Sequence, residues 1–68
     1  MMVIHVNGEQ RELSNEIQTV SDLLNQFELA DKKIIVELNA NIVDSSQHDE
    51  TTVQDGDRVE LVHFVGGG

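Results

Sequence analysis

The residues of this sequence best placed for covalent chemistry are its last three, Gly66-Gly67-Gly68, which follow directly on a strand-like run from Arg58 to Val65. Glycine has no Cβ, so such an arm can thread a narrow channel in another protein and take backbone angles closed to other residues. The carboxylate expected on Gly68 is unhindered. It is inert at neutral pH, but once a partner activates it, it becomes a transferable acyl group. A frayed end or cloning remnant would usually follow polar residues that stop the strand. Here the apolar strand runs straight into the glycines.

The side chains offer no second centre. His5, His48 and His63 lack metal-ligand spacing, and there is no cysteine to join them or to carry a persulfide or thioester. Asp49-Glu50 and the Asp55/Asp57 pair fall in a loop and a turn. Carboxylates working as acid and base need a cleft that separates their pKa values, and a short chain with one helix provides little. The triple glycine precedes no helix and carries no Lys, so it is not a phosphate-binding loop. The expectation is a protein that is not itself an enzyme.

What must hold the arm is small. The chain has 68 residues, and its core is aliphatic, because Trp and Tyr are absent and Phe27 and Phe64 are the only aromatics. That is one domain, predicted over residues 1–65, with 66–68 as a flexible tail. The net charge is −9, from 13 acidic residues against Arg11, Lys32, Lys33 and Arg58. Nucleic acid and anionic membrane surfaces are excluded as partners, since both require a basic face. An acidic surface steers towards a basic protein instead. No apolar run approaches a membrane span, and Met1-Met2-Val3-Ile4 does not open like a secretory signal, so a cytoplasmic location is expected.

The elements follow from periodicity. Met2 to Val6 reads as a strand, and Asn7-Gly8 turns it into an edge strand over Gln10 to Leu13. Thr19 to Phe27 reads as the only helix. Thr19 is its cap, Asp22 stands at capping-box spacing, and Val20, Leu23, Leu24 and Phe27 share one face. Ile34 to Leu38 is a β-rich run, Asn39-Ala40-Asn41 a turn and Ile42-Val43 a short strand. Residues 44–52 read as a polar surface loop with room for a helical turn, and His48 as a solvated residue within it. Asp55-Gly56-Asp57 turns into the last strand. The class is α+β: a β-grasp, ubiquitin-like roll with a mixed sheet of four to five strands on one helix and the last strand returning to the middle.

Strand alternation divides the sheet into two faces. If the helix covers Ile34, Val36, Leu38, Val59 and Leu61, then Ile35, Val62 and Phe64 lie on the open side, rimmed by Glu37 and Glu60. With Val65, they form the predicted partner-docking patch.

The ending Asp55-Gly56-Asp57-Arg58-Val59-Glu60-Leu61-Val62-His63-Phe64-Val65-Gly66-Gly67-Gly68 closely resembles the C-terminus of the ThiS family, the sulfur carriers of thiamine biosynthesis. The likeness extends more weakly through Ile35-Val36-Glu37-Leu38-Asn39, Ile42-Val43 and the helix. It implies that the Gly68 carboxylate is adenylated by a ThiF-like partner using ATP and magnesium, with no cofactor bound tightly by the carrier itself. Sulfur from a donor such as a cysteine desulfurase then gives a thiocarboxylate. A ThiG-like thiazole synthase takes that sulfur, while Gly66 and Gly67 thread the partner's active site. Relatives often carry Pro and Trp where this chain has Asp44 and His48, which leaves the 44–52 conformation open, and only some have the third glycine. Two alternatives stand beside this reading: the small subunit of molybdopterin synthase, which is usually longer with proline before its last glycines, and a β-grasp interaction module with an inert tail.

Overall fold

The computed structural model describes residues 1–63. The predicted arm, Gly66 to Gly68, and the docking residues Phe64 and Val65 lie outside the described residues, as does the domain boundary at 65.

The chain runs β1 (Met2–Val6), β2 (Glu9–Leu13), α1 (Val20–Gln26), β3 (Ile34–Leu38), β4 (Asn41–Val43), a 3-10 turn (Ser45–Gln47) and β5 (Arg58–His63). The sheet order is β2-β1-β5-β3-β4, so the strand that leads to the glycines is central. β5 runs parallel to β1 and antiparallel to β3, and both hairpins are antiparallel. One helix on a five-stranded mixed sheet is the β-grasp arrangement.

The alternation sorts the side chains as the sequence requires. Met2, Ile4 and Val6 of β1, Val36 of β3, and Val59 and Leu61 of β5 are buried against Val20, Leu23 and Leu24 of α1, with Leu13 and Val53 completing the core. No buried polar side chain interrupts it among the described residues, so apolar burial, at roughly 25 cal/mol per Å² of surface removed from water, is the main stabilising term.

Both ends of α1 have local causes. Thr19 accepts from the Asp22 amide at 3.1 Å, and the Asp22 carboxylate accepts from the Thr19 and Gln18 amides at 3.1 and 2.9 Å, a reciprocal capping box. These backbone donors, Gln18 first, hold the Asp22 carboxyl below its ordinary value. At the other end Glu28 takes φ 60°, its amide donates to Asn25, and the Leu29 amide donates back to Leu24. That is a Schellman closure built on glutamate where glycine is usual.

The hairpins are two-residue turns with both central φ positive: Asn7 at 51° and Gly8 at 82°, Asn39 at 50° and Ala40 at 72°. This fits the primed turns that match strand twist. The second turn is therefore one residue shorter than its sequence suggests, and Asn41 belongs to β4. The 44–52 segment is more ordered than a polar loop implies. Asp44 caps the 3-10 turn through Ser46, whose side chain and backbone keep the Asp44 carboxyl below its ordinary value. Thr52 bridges to Thr19. His48 is not simply solvated: it is half-buried, with Nε2 3.2 Å from the Val43 carbonyl oxygen.

Candidate functional site

β5 carries the chain towards the glycines, and it is held from both sides by hairpin asparagines. At its entry, the Asn39 amide donates to the Arg58 carbonyl at 2.7 Å, the Arg58 amide donates to Asn39 Oδ1 at 2.9 Å, and Asn39 Nδ2 donates to Asp57 at 3.1 Å. From the β1 side, one residue further along, the Asn7 amide donates to the Val59 carbonyl at 2.9 Å. The Asn7 side chain then reaches one step further: Oδ1 accepts from the Leu61 amide at 2.7 Å and Nδ2 donates to the Leu61 carbonyl at 3.1 Å. Val6↔Val59 is the last main-chain pair of the parallel ladder. The side-chain amide extends that ladder after β1 has turned away. On the opposite edge, β3 pairs with β5 through Ile34↔His63. This end of β5 is thus fixed on two sides just before the sequence reaches Phe64.

The predicted docking residues that fall within the described chain lie together. Ile35 and Val62 are cross-strand partners on the face away from the helix, 41% and 50% exposed. Phe64 and Val65 of the same predicted patch lie outside the described residues. Ile42, at 72% exposure, shares this face through its pairing with Glu37, and sequence reading did not include it. Its signal was present, because a two-residue turn fixes the register of β4 and hence its outward residue. Glu37 and Glu60 are paired directly across the strands on the same face. Like charges opposite one another destabilise a sheet, so this pair costs the isolated domain something. The face as a whole is a small apolar centre with a carboxylate rim, which is complementary to an apolar surface edged with Arg or Lys.

One concavity flanks the exit of β5 and another lies against α1. The first, of about 180 Å³, is lined by Val6, Asn7, Phe27, Ile34, Leu61 and His63 among others. The other, of about 790 Å³, lies between α1, the start of β3 and the 3-10 turn, with Lys32 and Lys33 at its rim. The larger one brings Ser21, His48 and Asp49 to its lining, but the Ser21 hydroxyl donates to the Asp49 carboxylate and His48 Nε2 is engaged with the Val43 carbonyl, so no nucleophile–base pair is formed. Among the described residues no group of His, Asp and Glu has the geometry of a metal site, and no helix is long and apolar enough to cross a membrane. What the arrangement offers is a packed body, an exposed apolar face and a central last strand that leads in sequence to the glycines.

Comparison with known proteins agrees with this geometry. The sequence pattern of the ThiS family matches residues 4–68. The sulfur carrier protein ThiS of Bacillus subtilis is 36% identical over 66 residues, covering 97% of this chain and all of that protein. The crystal structure of the thiamine biosynthesis protein ThiS from Geobacter metallireducens superposes with a TM-score of 0.83 at 36% identity, covering 98% of this chain and 100% of that one. A thiazole synthase of Paramagnetospirillum magneticum is 40% identical over 67 residues, which span 98% of this chain but 20% of that protein.

Proposed function

The chain belongs to the ThiS family, and from that premise we propose that it is a sulfur carrier of thiamine biosynthesis whose reactive group is the Gly68 carboxylate. The observation that carries this reading is the family match over residues 4–68, which takes in the glycines, beside the match to a sulfur carrier over 97% of this chain. The β-grasp body with its central strand running out towards those glycines supports it.

The chemistry balances as one substitution at phosphorus followed by one at the Gly68 carbonyl. A carboxylate oxygen of Gly68 attacks the α-phosphorus of magnesium-bound ATP on a ThiF-like enzyme, and pyrophosphate leaves. The acyl carbon, unhindered by side chains at Gly66, Gly67 and Gly68, is then attacked by sulfur and AMP departs. Sulfur supplied at the sulfide level gives the thiocarboxylate directly. A persulfide from a desulfurase gives an acyl disulfide, which a thiol then reduces. The carrier contributes no general acid or base; it contributes position and a tether, which raises the local concentration of sulfur at the docked acceptor.

A ThiG-like thiazole synthase is the proposed acceptor. The resemblance of this chain to one fifth of a thiazole synthase supports that pairing, because it joins carrier-like and synthase sequence in one polypeptide. It also favours the thiazole route over molybdopterin synthesis. The proposed docking surface for these partners is Ile35 and Val62, with Phe64 and Val65 continuing it, rimmed by Glu37 and Glu60.

Intact mass spectrometry tests the reading. After incubation with ATP, magnesium, a ThiF-like enzyme and a sulfur donor, the protein should gain the mass difference between sulfur and oxygen, located to Gly68 by fragmentation. An unchanged mass, beside a control carrier that is converted, removes the proposal.

A further inference from the structure

Asn7 is the one described side chain that makes a two-point contact with the main chain of β5 near its exit. It lies 54 residues from Leu61 in sequence and bonds both the Leu61 amide and its carbonyl. A backbone N–H can only donate and a C=O can only accept, so the pair fixes which end of the Asn7 amide faces which atom. Asparagine at this turn position has an evident local use, since it tolerates the φ of 51°. Glycine would serve that purpose equally well, so the turn does not account for the two outward bonds.

We propose that Asn7 is a positioning residue for the glycine arm: its amide stands in for the missing β1 strand at Leu61 and sets the direction in which β5 delivers Gly68 to a partner. The proposal rests on the carrier reading and adds to it a residue remote from the reacting carbonyl. Three observations converge on it. The main-chain ladder between β1 and β5 ends at Val59, so without the Asn7 amide Leu61 would be paired only through β3. The same asparagine lines the cleft beside His63, the last described residue before the arm. Although Asn7 as a residue is exposed, both of its bonds to the buried Leu61 are part-buried, so water competes with them less than with an exposed contact. Five residues beyond His63 reach at most about 18 Å when drawn out. The place where β5 leaves the body is therefore the point from which that reach is measured, and reactive groups misplaced by about 1 Å lose of order a hundredfold in rate.

The test compares N7G and N7D with the wild type. N7G keeps the turn, because Gly-Gly suits both positive φ values, and removes both bonds. N7D keeps an acceptor for the Leu61 amide and loses the donor to its carbonyl. Amide hydrogen exchange should be faster at Leu61 in N7G by tenfold or more, with the α1 and β1 amides unchanged, and nearly unaltered in N7D. Adenylation by a ThiF-like enzyme, followed by pyrophosphate release, should show kcat reduced about tenfold in N7G and less in N7D. Binding to that enzyme, measured by calorimetry, should stay within twofold for both, as the docking face is untouched. A fold defect alone would instead lower the thermal midpoint and the apparent concentration of competent carrier, leaving kcat per folded molecule intact. N7G that loads at the wild-type kcat, or a Leu61 amide that stays protected without the side chain, overturns the proposal. Wild-type protein that is never adenylated is a separate outcome: it removes the carrier reading and the positioning role together, while the exchange data still report whether the amide holds Leu61.

Discussion

Glu28 occupies a left-handed conformation, φ 60°, that its Cβ makes costly, and it does so because α1 must close on Leu24 and Asn25 there. Glu28→Gly keeps both closing bonds and relieves the clash. It should raise stability by about 0.5–1 kcal/mol even after the extra freedom glycine brings to the unfolded chain, or several degrees in the thermal midpoint. Ala40→Gly, at φ 72° in the second turn, should do the same. Midpoints unchanged within error would mean that the strain is not there. Ile35 and Val62 test function at the same scale. Threonine at either position preserves β-branching and shape on an exposed strand face, so stability should move by no more than about 0.5 kcal/mol. The paired I35T/V62T protein should nonetheless bind a ThiF-like partner at least tenfold more weakly by calorimetry, about 1.4 kcal/mol, if these side chains are its anchors.

At the scale of elements, the cap of α1 contributes to the acid limb of stability beside the Asp44 cap of the 3-10 turn. The amides of Gln18 and Thr19 hold the Asp22 carboxyl below its ordinary value of 3.8. The folded state therefore binds this proton less readily than the unfolded one, and the cap contributes fully above pH 3.8. Its contribution fades as pH falls through the lowered folded value. Asp22→Asn should flatten that part of the dependence, so that denaturation midpoints of variant and wild type differ at pH 7 and converge only as pH falls below the lowered folded value. Parallel curves over the whole range would show that the carboxylate is not the group responsible. The cap was readable beforehand because Thr19 and Asp22 are three residues apart, and so were the helix, the strand faces and the central place of β5, since all depend on short-range pattern. Glu28 was not, because glutamate carries no mark of a left-handed residue. The Asn7 amide was not either: its partner is fixed by the register of two strands far apart in sequence. The 3-10 turn at Ser45–Gln47 is the helical turn that the sequence left room for, whereas the His48 contact with Val43 and the bridge between Thr19 and Thr52 were missed because they depend on how the segment folds back.

At the scale of the whole molecule, charge and shape divide the work between body and arm. The Glu37–Glu60 pair opposes itself in the free domain, inside a chain of net charge −9, and a basic partner edge would relieve it. Glu60→Gln should therefore stabilise the isolated protein by a few tenths of a kcal/mol, yet slow association with a ThiF-like enzyme and weaken its dependence on salt. Removing residues 66–68 makes the complementary test, because it spares every strand and core residue described. The shortened protein should melt as the intact one does and should bind the adenylating enzyme through the Ile35–Val62 face. Lacking a carbonyl that reaches the phosphorus, it should support no pyrophosphate release. Added to a loading reaction of intact carrier, it should act as a competitive inhibitor with a constant close to the intact protein's dissociation constant. Failure to compete would mean that the glycines, and not the sheet, supply the affinity, and the docking face proposed for Ile35 and Val62 would have to be abandoned.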